Sequence, residues 1–342
     1  MAIEFMDGFD HVAIADLLIK WDTSGNNSNS SIVTGRYAGY ALQQGVGGGQ
    51  SPCQVKTLSG GNLVTRIMGF AVRFYNSFDN TCICGFRDNG ANQIELRRTA
   101  TGYWTVTRNG TVIETSATTY ALSTWYYIEF KATIGSGTSG SYEVRLNGAT
   151  LMNNGGNGCN TQNTANAYAN QVFLGSVNNC YQQVDDLYVL RTDTAPNNTF
   201  LGECRIFTNL PTGDSSTNKQ WTRSTGSNNY ALVDEATQNS DTDYTYDATP
   251  GHIDTFTFAS ITPTGGIAAV ALNMCARKDD AGTRQIAEET RQSSTEYTSS
   301  DTKTLTSSYL IHQNIREVDP ATSLPWSASG VNSAEMGVKV IA

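Results

Sequence analysis

Two carboxylates stand side by side in "VDDLYVL" at 184–190, a run that otherwise reads as a β-strand. Neighbouring strand residues point to opposite faces, so one of Asp185 and Asp186 must face the side that a sandwich buries. Paired acids could hydrolyse a glycoside, but only if they face each other across a cleft. No E-x-D-x-x-E run is present to supply such a pair on one strand. "VDEATQNSDTD" reads as an acidic loop, and Asp279-Asp280-Ala281-Gly282-Thr283 as a hairpin turn that uses Asp and Gly for backbone reasons. The three histidines, His11, His252 and His312, adjoin no G-x-S-x-G elbow, and there is no G-x-x-x-x-G-K-[ST] loop. Cys82-Ile-Cys84 lacks the spacing of a zinc site. These residues point to no catalysis, no metal and no cofactor.

The elements that would carry these residues are strands. Of 342 residues only 15% are charged and 39% hydrophobic, with 32 glycines against 7 prolines. That balance suits a turn-rich all-β chain. The net charge of −9 leaves no basic face for phosphates, which sets nucleic acid aside. The longest apolar stretch, "IAAVALNMCA" at 267–276, is too short to span a membrane. The N-terminus has no basic, signal-like segment, so the expectation is synthesis in a cytosol without secretion through a leader.

Strand-like runs fill the first half: 63–75, 81–88, 93–116, 124–134, 141–152, 171–177 and 184–190. Asn109-Gly110 and Asn147-Gly148 mark two-residue hairpin turns, because both positions tolerate positive φ. In "YEVRLNG", Tyr142, Val144 and Leu146 share one face while Glu143 and Arg145 share the other. The aperiodic "RTDTAPNNTF" places a domain boundary between 191 and 200. The reading is therefore all-β, with two β-sandwich domains in series, 1–193 and 194–342. The second begins with a strand in "GECRIFTNLP" and includes one in "YALVDEA". A short helix is expected before the last strand, capped by Ser327 and ended by Gly337.

The segments "WYYIEFKATI…GSYEVRLNG…VDDLYVL" resemble the laminin-G/concanavalin-like jelly roll. Trp125, Phe130, Tyr142, Val144, Asn147, Gly148, Asp185, Leu187 and Val189 carry the likeness, over roughly residues 1–193. The whole chain also resembles a group of bacteriophage virion proteins. The matching segments are Asp7 to His11, Lys20 to Asp22, Phe200 to Arg205, Leu210 to Asp214, Gln220 to Thr222, Asn229 to Glu235, Ala276 to Arg284, and Asp319 to Val340.

The resemblance implies a non-enzymatic particle component made in a bacterial host: a part of a tail, collar or fibre, or a head decoration. Its partners would be other virion proteins and copies of itself. By the family pattern Asp185, Leu187 and Val189 face inward, with Asp185 accepting from backbone N–H groups of a rim loop. Asp186 and Tyr188 then share the opposite face, as wet surface or as a contact for a host glycan. Trp125, Asn147 and Gly148 are structural in this reading. On a particle that leaves the cell, Cys53, Cys82, Cys84, Cys159 and Cys180 are disulfide candidates, while Cys275 and Cys204 read as buried small apolar side chains. The alternatives are a lectin-like receptor binder and, third, a polysaccharide depolymerase.

Overall fold

The computed structural model describes residues 1–24, 30–45, 54–77, 80–154, 156–175 and 182–342. The chain is all-β and forms two compact units, Ala2–Phe207 and Thr208–Ala342. The boundary falls after Phe207 rather than after residue 193. The stretch expected to open the second domain instead packs on the first.

In chain order the first unit carries β1 (Ile3–Asp7), β2 (Thr23–Ser24), β3 (Ser31–Thr34), β4 (Tyr40–Gln44), β5 (Gln54–Thr57), β6 (Thr65–Phe74), β7 (Thr81–Asp88), β8 (Ala91–Arg98), β9 (Tyr103–Arg108), β10 (Thr111–Thr119), β11 (Trp125–Thr133), β12 (Ser141–Leu146), β13 (Ala149–Asn153), β14 (Gln171–Leu174) and β15 (Gln182–Arg191). One sheet has the order β13-β12-β11-β6-β15-β4-β3, with β1 pairing the end of β15. The other has the order β10-β9-β8-β7-β14-β5-β2. All pairings are antiparallel, so each strand can bury alternate residues between the sheets. Phe86 of the second sheet meets Phe130 of the first at 5.2 Å, and Phe74 meets Trp104 at 5.6 Å. Offset, tilted rings of this kind are the favoured aromatic geometry in a core.

Asn147 and Gly148 form the β12–β13 turn, with φ of 49° and 81°. The Asn147 carboxamide oxygen also accepts from the Tyr127 N–H at 2.8 Å, which ties the turn back to β11.

The second unit carries β16 (Pro211–Lys219), β17 (Thr222–Arg223), β18 (Thr245–Tyr246), β19 (Ile253–Phe258), β20 (Val270–Ala276), β21 (Gln285–Gln292), β22 (Thr295–Thr298), β23 (Lys303–Thr304), β24 (Leu310–Arg316) and β25 (Glu335–Val340). Its main sheet has the order β16-β19-β25-β21-β22, with β23 on β21. The two-stranded β20–β24 sheet lies against that sheet through Met274 on Ile286 and through Val270 and Leu272 beside Met336. "YALVDEA" holds no strand; Tyr230–Leu232 is a single 3-10 turn. The short helix is Ala328–Ser333, and the Ser327 hydroxyl accepts from the Gly330 N–H at 3.0 Å. Gly337 does not end it but sits within β25, where a Cβ would strike the Asp254 carbonyl.

Candidate functional site

The Asp185-Asp186 pair departs from strand alternation. Asp185 pairs with Ala71 and Tyr188 with Gly69, so three steps along β15 match two along β6. The extra residue is a β-bulge, and Asp186 takes φ 55° within it, a conformation Asp tolerates better than most residues. Asp185 and Tyr188 consequently lie on the face that carries Tyr127 and Glu129, the β11 partners of Ala71 and Gly69. Val184 and Val189 lie on the core face, opposite Val72 and Met68. The expectation that Asp185 faces inward together with Val189 is therefore corrected: the bulge separates them.

That outer face is not open. Residues 200–207 cross it as an irregular strap. The Tyr188 hydroxyl accepts from the Leu201 N–H at 3.3 Å, the Glu129 carboxylate from the Gly202 N–H at 2.8 Å, and Asp186 Oδ1 from the Ile206 N–H at 2.7 Å. Tyr188 also donates to Glu129 at 2.5 Å. Arg36 forms an ion pair with Glu203 and lies 3.8 Å from Asp186. Asp185 accepts from the N–H groups of Arg36 and Asp186, each at 2.8 Å. Asp186 is 2% exposed and Tyr188 3%. Burial beneath the strap leaves neither as wet surface nor able to touch a sugar. Burial and the neighbouring Asp186 push Asp185 up to about 7, against its two N–H donors; burial likewise lifts Asp186 to about 6.

The cysteines are likewise placed. Cys82 and Cys84 are buried, unbridged, on β7, and Cys159 is a half-buried free thiol. None of the three is in a disulfide, and the first two are closed to interchain pairing. Cys53 and Cys180 lie outside the described residues. Cys275, read as buried, is exposed on β20, and Cys204 is half-buried in the strap. Trp125 lies half-buried on the outer face, opposite Arg73.

A polar cleft that none of these readings included opens on the outer face of the second sheet. Its volume is about 380 Å³, and it is lined by Arg87, Gly90, Asn92, Glu95, Arg97, Asn109, Gly110 and Asn163. Two hairpin tips frame it. The β7–β8 turn is Asn89-Gly90, with φ of 44° and 94°, and the β9–β10 turn is Asn109-Gly110, with φ of 48° and 75°. Both need positive φ at two successive positions, which Asn and Gly accommodate. The third wall is the loop around Asn163, held to β8 by the buried Gln93. The Gln93 amide donates to Thr164 Oγ1 at 3.0 Å and to the Asn166 and Tyr168 carbonyls at 2.8 and 3.0 Å, and accepts from the Asn163 and Thr164 N–H groups at 2.6 and 3.1 Å.

At the cleft floor, Glu95 receives Arg97 Nε at 2.7 Å and the Thr107 hydroxyl at 3.2 Å, and it also accepts from the Asn92 amide. Arg97 reaches the Asn80 carbonyl at 2.7 Å as well. Arg87 stands over the Phe173 ring at 5.7 Å and donates to the Gly90 carbonyl. Its Nε and the Asn92 Oδ1 are buried without a hydrogen-bond partner among the described residues. Burial lowers the Arg87 pKa, while Glu95 and its other neighbours raise that of Arg97 against its own desolvation. The sequence signal was present in "NQIELRR": Gln93, Glu95 and Arg97 alternate with the core residues Ile94 and Leu96.

No protein-family model and no curated protein matches the chain. Among solved structures it is similar to an alginate lyase at 15% identity, over 56% of this chain and 96% of that one, with a TM-score of 0.40. An endo-β-1,4-glucuronan lyase from Trichoderma reesei aligns at 14% identity over 50% and 91%, with a TM-score of 0.37. A Trypanosoma rangeli sialidase aligns at 14% over 47% and 27%, with a TM-score of 0.33. Where the sequence led to the expectation of a non-enzymatic protein, the similar structures instead include polysaccharide lyases and a sialidase. At such identities the likeness concerns the fold, so the chemistry has to come from the chain's own residues.

Proposed function

We propose that the first unit is a polysaccharide-degrading enzyme that breaks a uronate-containing chain by β-elimination in the Arg87–Glu95–Arg97 cleft. One observation carries this reading. Among the described residues, two guanidinium groups flank the single carboxylate that lines an open polar cleft, and one of them presents a buried, unsatisfied Nε. A buried donor without a partner costs about 1–3 kcal/mol, and a ligand oxygen would relieve that cost. A sugar carboxylate suits it best, because guanidinium binds carboxylate through paired, charge-assisted hydrogen bonds.

The chemistry follows from charge. Arg87 neutralises the uronate carboxylate, which makes the adjacent C5 proton more acidic. Glu95 takes that proton, the electron pair becomes the C4–C5 double bond, and the C4–O bond to the next sugar breaks. The proton passes from Glu95 to the departing oxygen, so Glu95 ends as it began. Arg97 and Asn92 orient the Glu95 carboxylate by hydrogen bonds. Hydrolysis would need a second acid facing Glu95, and none lines the cleft among the described residues.

The test is incubation with alginate, glucuronan and polygalacturonate, following ultraviolet absorbance of the unsaturated product. Glu95→Gln should abolish the signal, and Arg87→Ala should raise KM. Cleavage that yields new reducing ends without unsaturation would reject the elimination, and full activity in Glu95→Gln would reject the assigned base.

A further inference from the structure

The outer face of the first sheet carries a second row of side chains, at the end away from the strap. Trp125, Arg73, Gln183, Gln43 and Ser31 occupy directly opposed positions on β11, β6, β15, β4 and β3. They form one hydrogen-bonded line. Arg73 Nε donates to the Gln183 Oε1 at 3.0 Å, Gln183 Nε2 to the Gln43 Oε1 at 3.1 Å, and Gln43 Nε2 to the Ser31 hydroxyl at 3.3 Å. At the other end, the Arg73 guanidinium lies 4.8 Å from the Trp125 ring and 5.0 Å from the Tyr75 ring. Tyr75 is 40% exposed.

We infer that this row is a second polysaccharide-binding surface, which takes an extended uronate chain running across the strands. It stands apart from the cleft, which lies on the other sheet, and shares with the proposed function only the class of ligand. Three features favour that occupant. The row steps once per strand, roughly 4.8 Å, close to the length of one pyranose in an extended chain. Trp125 and Tyr75 offer apolar ring faces beside amide and hydroxyl groups, the combination that matches a sugar's C–H face and its hydroxyl edge. Charge complementarity selects the acidic sugar. Among the described residues Arg73 meets no carboxylate, in a chain of net charge −9; its partners there are the neutral Gln183 and the two aromatic rings.

The measurement is affinity electrophoresis of the full chain in gels containing the uronate polysaccharides of the cleavage assay, with dextran gels as the neutral control. The Glu95→Gln background prevents cleavage of the matrix. Tyr75→Ala, at an exposed position, and Arg73→Gln should each weaken retardation roughly three- to tenfold. Cleavage by Tyr75→Ala in the native Glu95 background should stay unchanged on short oligosaccharides. Retardation that is unaltered by both variants, or equal in dextran, overturns the surface. So does its absence in every uronate gel. A chain that shows retardation but no cleavage would leave the surface standing and remove the proposed activity instead.

Discussion

Asp185 and His11 pull stability in opposite directions with pH, and the two can be separated. Asp185 sits at about 7 in the fold against an ordinary 3.8, because burial and Asp186 disfavour its charge. The folded chain therefore holds more protons than the unfolded one between about pH 4 and 7, and Asp185's contribution falls as pH rises through that window. His11 is the reverse. Burial and Lys20, against the pull of Asp7, lower it to about 4 from 6.5, so its contribution is lost as pH falls from about 6.5 to 4. Asp185→Asn loses a hydrogen-bond acceptor at every pH. The free-energy gap between the native sequence and Asp185→Asn should nevertheless shrink from pH 4 to 7 in urea titrations. A gap that widens with pH would mean that Asp185 is charged in the fold. The adjacency of two acids was plain in the sequence. Their shared neighbourhood was not, because it depends on the bulge and on Arg36, which lies far away along the chain.

Strand alternation in "YEVRLNG" and the Asn-Gly turns could be read directly, since period two and positive φ are local properties. The bulge could not, because it is fixed by how β15 meets β6 and β1 together. Gly69 is part of that meeting: a Cβ there would collide with the Tyr188 ring. Gly69→Ala should cost about 1–3 kcal/mol of unfolding free energy, as overpacking does, whereas Gly110→Ala should cost less, with strain at positive φ but open space around the new methyl. In the second unit, Ser327→Ala should remove about 1 kcal/mol through loss of the cap on Ala328–Ser333. Equal midpoints for Ser327→Ala and the native sequence in denaturant melts would show that the cap is dispensable. The cleft shows the same divide between local and distant information. Its alternating Gln93, Glu95 and Arg97 stand in one run of sequence. The loop that walls it lies about seventy residues further on and is held there by the Gln93 amide, with Asp88 and the Asn92 carbonyl as further anchors.

For the molecule as a whole, the position of the unit boundary makes a prediction about fragments. A chain cut at residue 193 would lack the strap and uncover Tyr127, Glu129, Asp186 and Tyr188, whereas one cut at Phe207 keeps them covered. The 1–207 fragment should be monomeric with a single cooperative melt, and the 1–193 fragment should melt lower or aggregate. Equal melting temperatures would show that the strap adds nothing. The aperiodic 191–200 stretch misplaced the boundary because lack of periodicity marks irregular backbone, not a gap between cores. The strap also has a mechanical consequence. The backbone runs through it from β15 to the second unit, so tension applied along the chain from that unit arrives at Phe207 first. The contacts of Ile206, Gly202 and Leu201 would then open one after another, as in peeling, before any load reached the ladder of β15. The strap is in effect a sacrificial fuse, yielding at low force while the sandwich behind it stays whole.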